Sequence, residues 1–382
     1  MKFKKVAKVA KVAKVEKVAM IENEEETADG IKYVSYALLY TNDFWKNDVS
    51  MREYINCFIN ETILQMNQVQ IYCWKTVCPK INKLTPMIIE VLKKKTDFKT
   101  LLFDDNFMDD NKLFTMLPEH IENIILQGTS NLIFDEELEL DMTNLPRELI
   151  YLDIGYKFKY ELTLDYLPAR LKILRTGAKV DVSIDNLPQG LEILEIGTQF
   201  SHSIDNLPDS IKILIFKTKS CGWNIYQPRS FNLYVNKINK LPLGLEILIL
   251  EDIHDDIICD IDFSYLDNLT YIALPDNFDK PEFFNSSNIK WPPKLKKLYI
   301  GKIYNKVISI LPPELECLVV HQNFDLEQNL IFVSRSLKKV MVDIRNEIML
   351  NNNCHYGTFK KIKAKFPNIN VELLSNLGGN RG

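Results

Sequence analysis

Leu187-Pro188-Gln189-Gly190-Leu191-Glu192-Ile193-Leu194-Glu195-Ile196-Gly197 decides the architecture, because its pattern recurs along the chain. The hexapeptide Ser183-Ile184-Asp185-Asn186-Leu187-Pro188 returns unchanged as Ser203-Ile204-Asp205-Asn206-Leu207-Pro208. Stripped to its skeleton, the motif is Leu-Pro-x-x-Leu-x-x-Leu-x-Ile-Gly. Leu145, Leu167, Leu187 and Leu207 open copies spaced 22, 20 and 20 residues apart. Further copies open at Leu117, Leu241, Trp291 and Leu311. Weaker ones keep the register through Phe98, Leu101 and Phe103, through Leu269, Ile272 and Leu274, and through Leu337, Val340 and Val342, which makes eleven units.

A period of 20 to 29 residues with Leu at fixed offsets is the mark of a leucine-rich-repeat-like solenoid. The expected fold is therefore an α/β repeat solenoid, with a parallel sheet of about eleven short coils and an N-terminal helical segment. In Leu-x-x-Leu-x-Ile the last two apolar positions alternate, as a strand with one buried face requires. Stacked at ~4.8 Å per unit, eleven strands span ~50 Å. Pro lacks an N–H and has a fixed φ, so it suits the coil before the strand. Gly after the strand is expected to supply a positive φ at the corner. An aromatic past that corner, at Phe107, Phe158, Phe200, Phe278, Tyr304 and Phe324, reads as a plug inside the coil.

Leu187 through Pro208, with Phe200 and Ile204 at their places, resembles the FNIP repeat, and the resemblance runs over about residues 94–345. It departs from the pattern in long inserts after Lys217 and after Phe278, and in the loss of Leu-Pro near Leu266. The resemblance implies a short leucine-rich-repeat variant, typical of social amoebae and of giant DNA viruses of amoebae. Richness in Ile, Lys and Asn agrees with an AT-rich genome of that kind. Some proteins of this type carry an F-box before the repeats, which links them to ubiquitin ligase scaffolds.

Around the array the texture changes. Residues 1–30 form a low-complexity charged tail, with Lys5, Lys8, Lys11, Lys14 and Lys17 followed by Glu22, Glu24, Glu25, Glu26 and Asp29. A period of three drifts around a helix and builds no fixed apolar stripe. Residues 31–93 read as a helical segment of about F-box size, without a Leu-Pro-x-Glu opening. Ser50 and Glu53 suggest a capping box before Tyr54, Ile55, Phe58, Ile59 and Ile63. A second helix is expected over Gln65 to Val77, and a third over Thr85 to Lys95 with Pro86 in its first turn. The solenoid is placed at 94–350, and a C-terminal cap and tail at 351–382. The cap reads as a helix from His355 to Phe366 and a strand from Val371 to Leu374.

Composition excludes more than it names. With 47 Lys+Arg against 51 Asp+Glu, no nucleic-acid partner is expected. No apolar run of ~18 residues occurs, so no membrane span is expected. Seven scattered cysteines without a CxxC read as reduced thiols in a cytoplasmic protein, in host cytoplasm if the source is viral. No phosphate loop, nucleophile elbow or zinc helix appears, so no enzyme activity and no cofactor are expected. His254, Asp255, Asp256, Asp260 and Asp262 read as a solvated insert in preference to a metal site, and Cys317 with His321 as structural residues. Lys360, Lys361, Lys363 and Lys365 read as the polar face of the terminal cap.

The expected function is a non-enzymatic interaction solenoid that binds an unknown protein partner through its inner sheet face. The alternative is a substrate-recognition adaptor of a ubiquitin ligase. Inner-face positions lie between the buried Leu and Ile of each strand. In the early units they mix charge with apolar groups, as at Tyr151, Asp153, Arg175 and Glu195. In the middle units they are aliphatic. Ile173, Ile193, Ile213, Ile215, Ile247 and Ile249 are the candidate protein-binding residues, expected as an exposed patch.

Overall fold

The structure is a computed structural model, and it describes residues 25–26, 32–39, 73–108, 113–126, 143–154, 166–177, 181–197, 200–216, 237–251, 253–286, 289–331, 334–343 and 367–374. The repeat begins with a turn. In Pro188-Gln189-Gly190-Leu191 the Pro188 carbonyl accepts the Leu191 N–H at 3.0 Å. The next two amides, of Glu192 and Ile193, both donate to Lys172 O of the preceding coil, at 2.8 and 3.0 Å. The chain is thereby aimed along its neighbour before the strand starts. The same turn closes at Pro118, Pro146, Pro168, Pro208, Pro242, Pro292 and Pro312. It also closes at Leu266 and Ser334, so the turn needs a carbonyl at that position and not the proline ring. The ring's contribution is the fixed φ.

The strands, in chain order, are β1 (Glu25–Glu26), β2 (Lys32–Leu39), β3 (Cys73–Lys83), β4 (Thr100–Met108), β5 (Asn123–Leu126), β6 (Tyr151–Asp153), β7 (Ile173–Arg175) and β8 (Ile193–Ile196). They continue with β9 (Ile213–Phe216), β10 (Ile247–Leu250), β11 (Tyr271–Ala273), β12 (Lys297–Tyr299), β13 (Cys317–His321), β14 (Lys339–Asp343) and β15 (Asn370–Leu374). One sheet holds them in sequence order. From β3 onward every pairing is parallel. Strands β4 to β14 are the eleven units read from the repeat.

The register follows the repeat: Leu152 faces Leu174, which faces Leu194, which faces Leu214. These leucines and Leu248, Ile272, Leu298 and Leu318 in the same row are fully buried. A second core row runs through Phe103, Leu126, Ile154, Ile196, Phe216, Leu250, Leu274 and Ile300. The aromatic plugs Phe200, Phe278, Tyr304 and Phe324 are buried as expected. Phe278 stacks on Tyr304 at 6.2 Å, and Tyr304 on Phe324 at 6.4 Å. The insert after Phe278 adds Phe283 and Phe284 to this cluster. Phe107 and Phe158 lie outside the described side chains.

Several expectations are corrected. The segment 31–93 is not simply helical: β2 and β3 pair antiparallel, with Tyr33 opposite Pro79, and β3 lies against β4. Pairing with the first strand of the array overrides the local helical spacing, and the residue before Pro79 is biased to extended backbone. The third helix does form, as α1 (Pro86–Lys94), where the Thr85 Oγ1 accepts the Ile88 N–H at 3.2 Å. The helix expected from Tyr54 to Ile63 lies outside the described residues. Within the charged tail, Glu25 and Glu26 pair with Tyr33 and Lys32. At the other end the strand expected from Val371 to Leu374 forms as β15, with Val371 opposite Val340, so the sheet continues past residue 350. The helix expected from His355 to Phe366 lies outside the described residues.

Gly301 follows β12, yet its backbone is not left-handed. A Cβ there would sit 1.7 Å from Pro275 O. Glycine is required by close approach of the preceding coil, not by a positive φ.

Candidate interaction face

Two rows of side chains run along the inner side of the sheet. One passes through Tyr151, Ile173, Ile193, Ile213, Ile247 and Tyr271. Its neighbour passes through Asp153, Arg175, Glu195, Ile215, Ile249 and Ala273. The structure thus brings all six candidate isoleucines together in adjoining rows. It does not expose them. Ile173 and Ile193 are 5% and 7% accessible, Ile213 3%, Ile215 and Ile247 1%, and Ile249 0%. The expected open patch is corrected to an enclosed one. Strands buried on both faces read as unbroken apolar runs, and Ile213-Leu214-Ile215-Phe216 and Ile247-Leu248-Ile249-Leu250 are such runs.

Next to the aliphatic patch sits a buried ionic triad. Arg175 Nη1 lies 2.6 Å from Asp153 Oδ2, and its Nε and Nη2 lie 2.7 and 3.0 Å from the two oxygens of Glu195. The Tyr151 hydroxyl approaches Asp153 at 3.4 Å. Their charge suggests a solvated face, yet all three residues are buried. Burial opposes the Arg175 charge, but Asp153 and Glu195 outweigh it and hold the guanidinium more firmly protonated than a free arginine. The signal for the triad was present as acid, base, acid at one repeat offset in three successive units.

A second electrostatic row runs along the rim, at the residue before each strand. Lys99 pairs with Glu122 at 3.2 Å. Glu192 sits between Lys172 and Lys212, both at 3.1 Å. Glu316 sits between Lys296 at 3.6 Å and Lys338 at 2.9 Å. Burial works to raise the Glu192 carboxyl, and the two lysines more than reverse it. Glu246 continues this row, and burial raises its carboxyl despite the charge of Lys212. The rim therefore pairs acid with base across units at Lys99–Glu122, Lys172–Glu192–Lys212 and Lys296–Glu316–Lys338.

The residues with chemical potential are occupied elsewhere. His254 caps α2 (Asp255–Cys259) by accepting the Asp256 N–H. Asp256 is bonded to Lys280 and Asp262 to Lys290. Asp255 accepts the Asp279 amide at 2.9 Å. Among the described residues no cluster of three His, Cys, Asp or Glu side chains could hold a metal. Cys317 and His321 occupy one strand four residues apart, roughly 13 Å at the strand rise, too far for a nucleophile and base. Lys360, Lys361, Lys363 and Lys365 lie outside the described residues. Among the described residues no helix is long and apolar enough to cross a membrane.

Residues 183–219 match the family model of the FNIP Repeat. That span contains the doubled hexapeptide, Phe200 and β9. Among solved structures, the chain is similar to CroV588, a giant-virus protein described as a circular leucine-rich-repeat structure, with a TM-score of 0.41 and 18% identity. The similarity covers 78% of this chain and 50% of that one, so this chain spans about half the length of CroV588. No curated protein matches the chain.

Proposed function

We propose that this FNIP-repeat solenoid is a non-enzymatic, cytoplasmic protein-interaction scaffold whose contact surface is the inner side of the sheet over β7 to β10. The supporting observation is the composition of that side. Beyond the two core rows, Ile173, Ile193, Ile213, Ile215, Ile247 and Ile249 form a second contiguous apolar side of the sheet, enclosed in the structure. Contiguous apolar surface marks association sites where it is uncovered, so a partner reaches this side by displacing what encloses it. The adaptor reading, with a ubiquitin ligase scaffold as partner, loses its support, because β2 and β3 occupy stretches a helical docking module would need.

The test is quantitative affinity capture with the full chain and with Ile193→Thr plus Ile213→Thr, which keep β-branched side chains on the strands. A partner lost from a variant with native circular dichroism supports the reading. A partner retained by that folded variant refutes it.

A further inference from the structure

The two ends of the sheet are finished differently. At one end stands β1, two residues long and antiparallel to β2. So short an edge offers little to pair with. At the other stands β15, five residues of Asn-Val-Glu-Leu-Leu with no proline and no lysine. Its register with β14 is unbroken, and among the described residues β14 is its one strand neighbour.

The core reaches solvent at this edge. The first core row is 1% accessible or less at every member from Leu101 in β4 to Val340 in β14. The next member, Val371, is only partly buried, and Asn370 beside it is exposed. A further strand laid against β15 would complete the row.

The backbone dictates how that strand runs. The Asn370 N–H donates to Lys338 O at 2.8 Å. Bonding direction alternates along a strand, so Asn370 and Glu372 direct their backbone groups at β14, while the Val371 N–H and C=O point to the open edge. Side chains alternate as well. Val371 lies on the core face, and Asn370 and Glu372 lie on the inner face, where the Asn370 amide donates to Glu372 Oε1 at 2.7 Å.

We propose that β15 pairs antiparallel with the β15 of a second copy of this chain, about a two-fold axis at Val371. The two Val371 residues form a hydrogen-bonded pair that exchanges both N–H···O bonds, and the core row runs on from one copy into the other. Asn370 falls opposite the partner's Glu372 in the neighbouring non-hydrogen-bonded pair, where side chains are closest. Its amide then donates to that carboxylate in place of the one in its own strand, twice by symmetry. A two-fold axis at Glu372 would instead set two carboxylates directly against each other. A second copy is the fitting occupant because an isologous contact must be self-complementary, and this edge is. The dimer is one continuous sheet with both inner sides on the same face.

Sedimentation equilibrium of the full chain tests the pairing. The expected result is a monomer–dimer equilibrium in the micromolar range, since one strand pair is a small contact. Val371→Pro removes an N–H that β14 does not use, and should weaken the dimer about tenfold or more. A parent chain that stays monomeric at every concentration overturns the proposal, as does a folded Val371→Pro chain that dimerises as the parent does. Cysteines read the register independently. Under mild oxidation, Asn370→Cys mixed with Glu372→Cys should give a disulfide joining position 370 of one copy to position 372 of the other, located by peptide mass mapping. Glu372→Cys alone should give no link between its two copies. A 372–372 link, or no link in the mixture, overturns the proposal, and this measurement decides if Val371→Pro fails to fold.

Discussion

Arg175 holds Glu195 with two nitrogens across the β7–β8 junction, Nε at 2.7 Å and Nη2 at 3.0 Å, in a site from which water is nearly excluded. The pair is costly to break from one side. Arg175→Met should destabilise the chain by about 3–5 kcal/mol, because Asp153 and Glu195 both lose their guanidinium in a buried site. Replacing all three members by apolar residues of similar volume should recover most of that loss. Urea unfolding of the single and triple variants measures both, and a triple variant no more stable than Arg175→Met would contradict the account.

Leu194 stands in the first core row and is fully buried between Leu174 and Leu214. Leu194→Ala should cost ~2–5 kcal/mol by opening a cavity. Glu148→Ala, which removes a solvent-exposed pair with Arg170, should change stability by less than ~1 kcal/mol. Both are read from denaturant midpoints at a fixed m-value.

Two glycines offer a matched comparison. At Gly190 a Cβ would meet its nearest atoms at 3.5 Å, an ordinary contact, whereas at Gly301 it would lie 1.7 Å from Pro275 O. Gly190→Ala should be close to neutral, and Gly301→Ala should cost about 1–3 kcal/mol through displacement of the coil below. Equal melting temperatures for the two variants would refute the close-approach argument.

Acid should loosen the outer links between coils. The hydrogen bond from Lys290, then those from Ser264, hold the Asp262 carboxyl down at about 2. The hydrogen bonds of Asn206 and Ser183 lower Asp185 in the same direction. Folded values lie below the unfolded value of ~3.9, so these links contribute fully above that pH and fade as pH falls through the folded values. Asp262→Asn should therefore melt earlier than the parent chain at pH 6. The gap should close by about pH 2. A gap that persists unchanged in acid would exclude this linkage.

Cys259 lies half-buried at the end of α2, where desolvation first, then Glu282 and Asp255, push its thiol up to about 11. Native-state alkylation at pH 7.5 should be far slower at Cys259 than in the unfolded chain, since the thiolate is the reactive form. Mass spectrometry of partially alkylated protein resolves the rates.

The core rows were legible because one offset repeats: any unit with Leu at positions 5 and 8 of the motif places Leu194 or Leu214 inward once the period is known. The inner side was less legible. Ile193 alternates with Leu194 in a single unit and so reads as exposed, while the unbroken run from Ile213 to Phe216 already carried the signal of a strand covered on both faces. Asp153, Arg175 and Glu195 look like ordinary surface charges one unit at a time, and their meeting appears only when three strands are laid in register. The strands over 32–39 and 73–83 were not legible at all, because pairing across more than thirty residues leaves no local periodicity to read.

The bifurcated link before each strand has an evolutionary consequence. From Lys99 to Glu316 each coil offers one carbonyl, such as Lys172 O or Glu192 O, to two successive amides of the next coil. Units are therefore interchangeable parts with the same socket on either side. An array of this kind can lengthen by duplicating a whole unit, and the identical hexapeptides at 183–188 and 203–208 are what a recent duplication would leave behind. Novelty that is not a whole unit can enter only where the socket is absent, after a strand, and that is where the surplus residues beyond β9 were admitted.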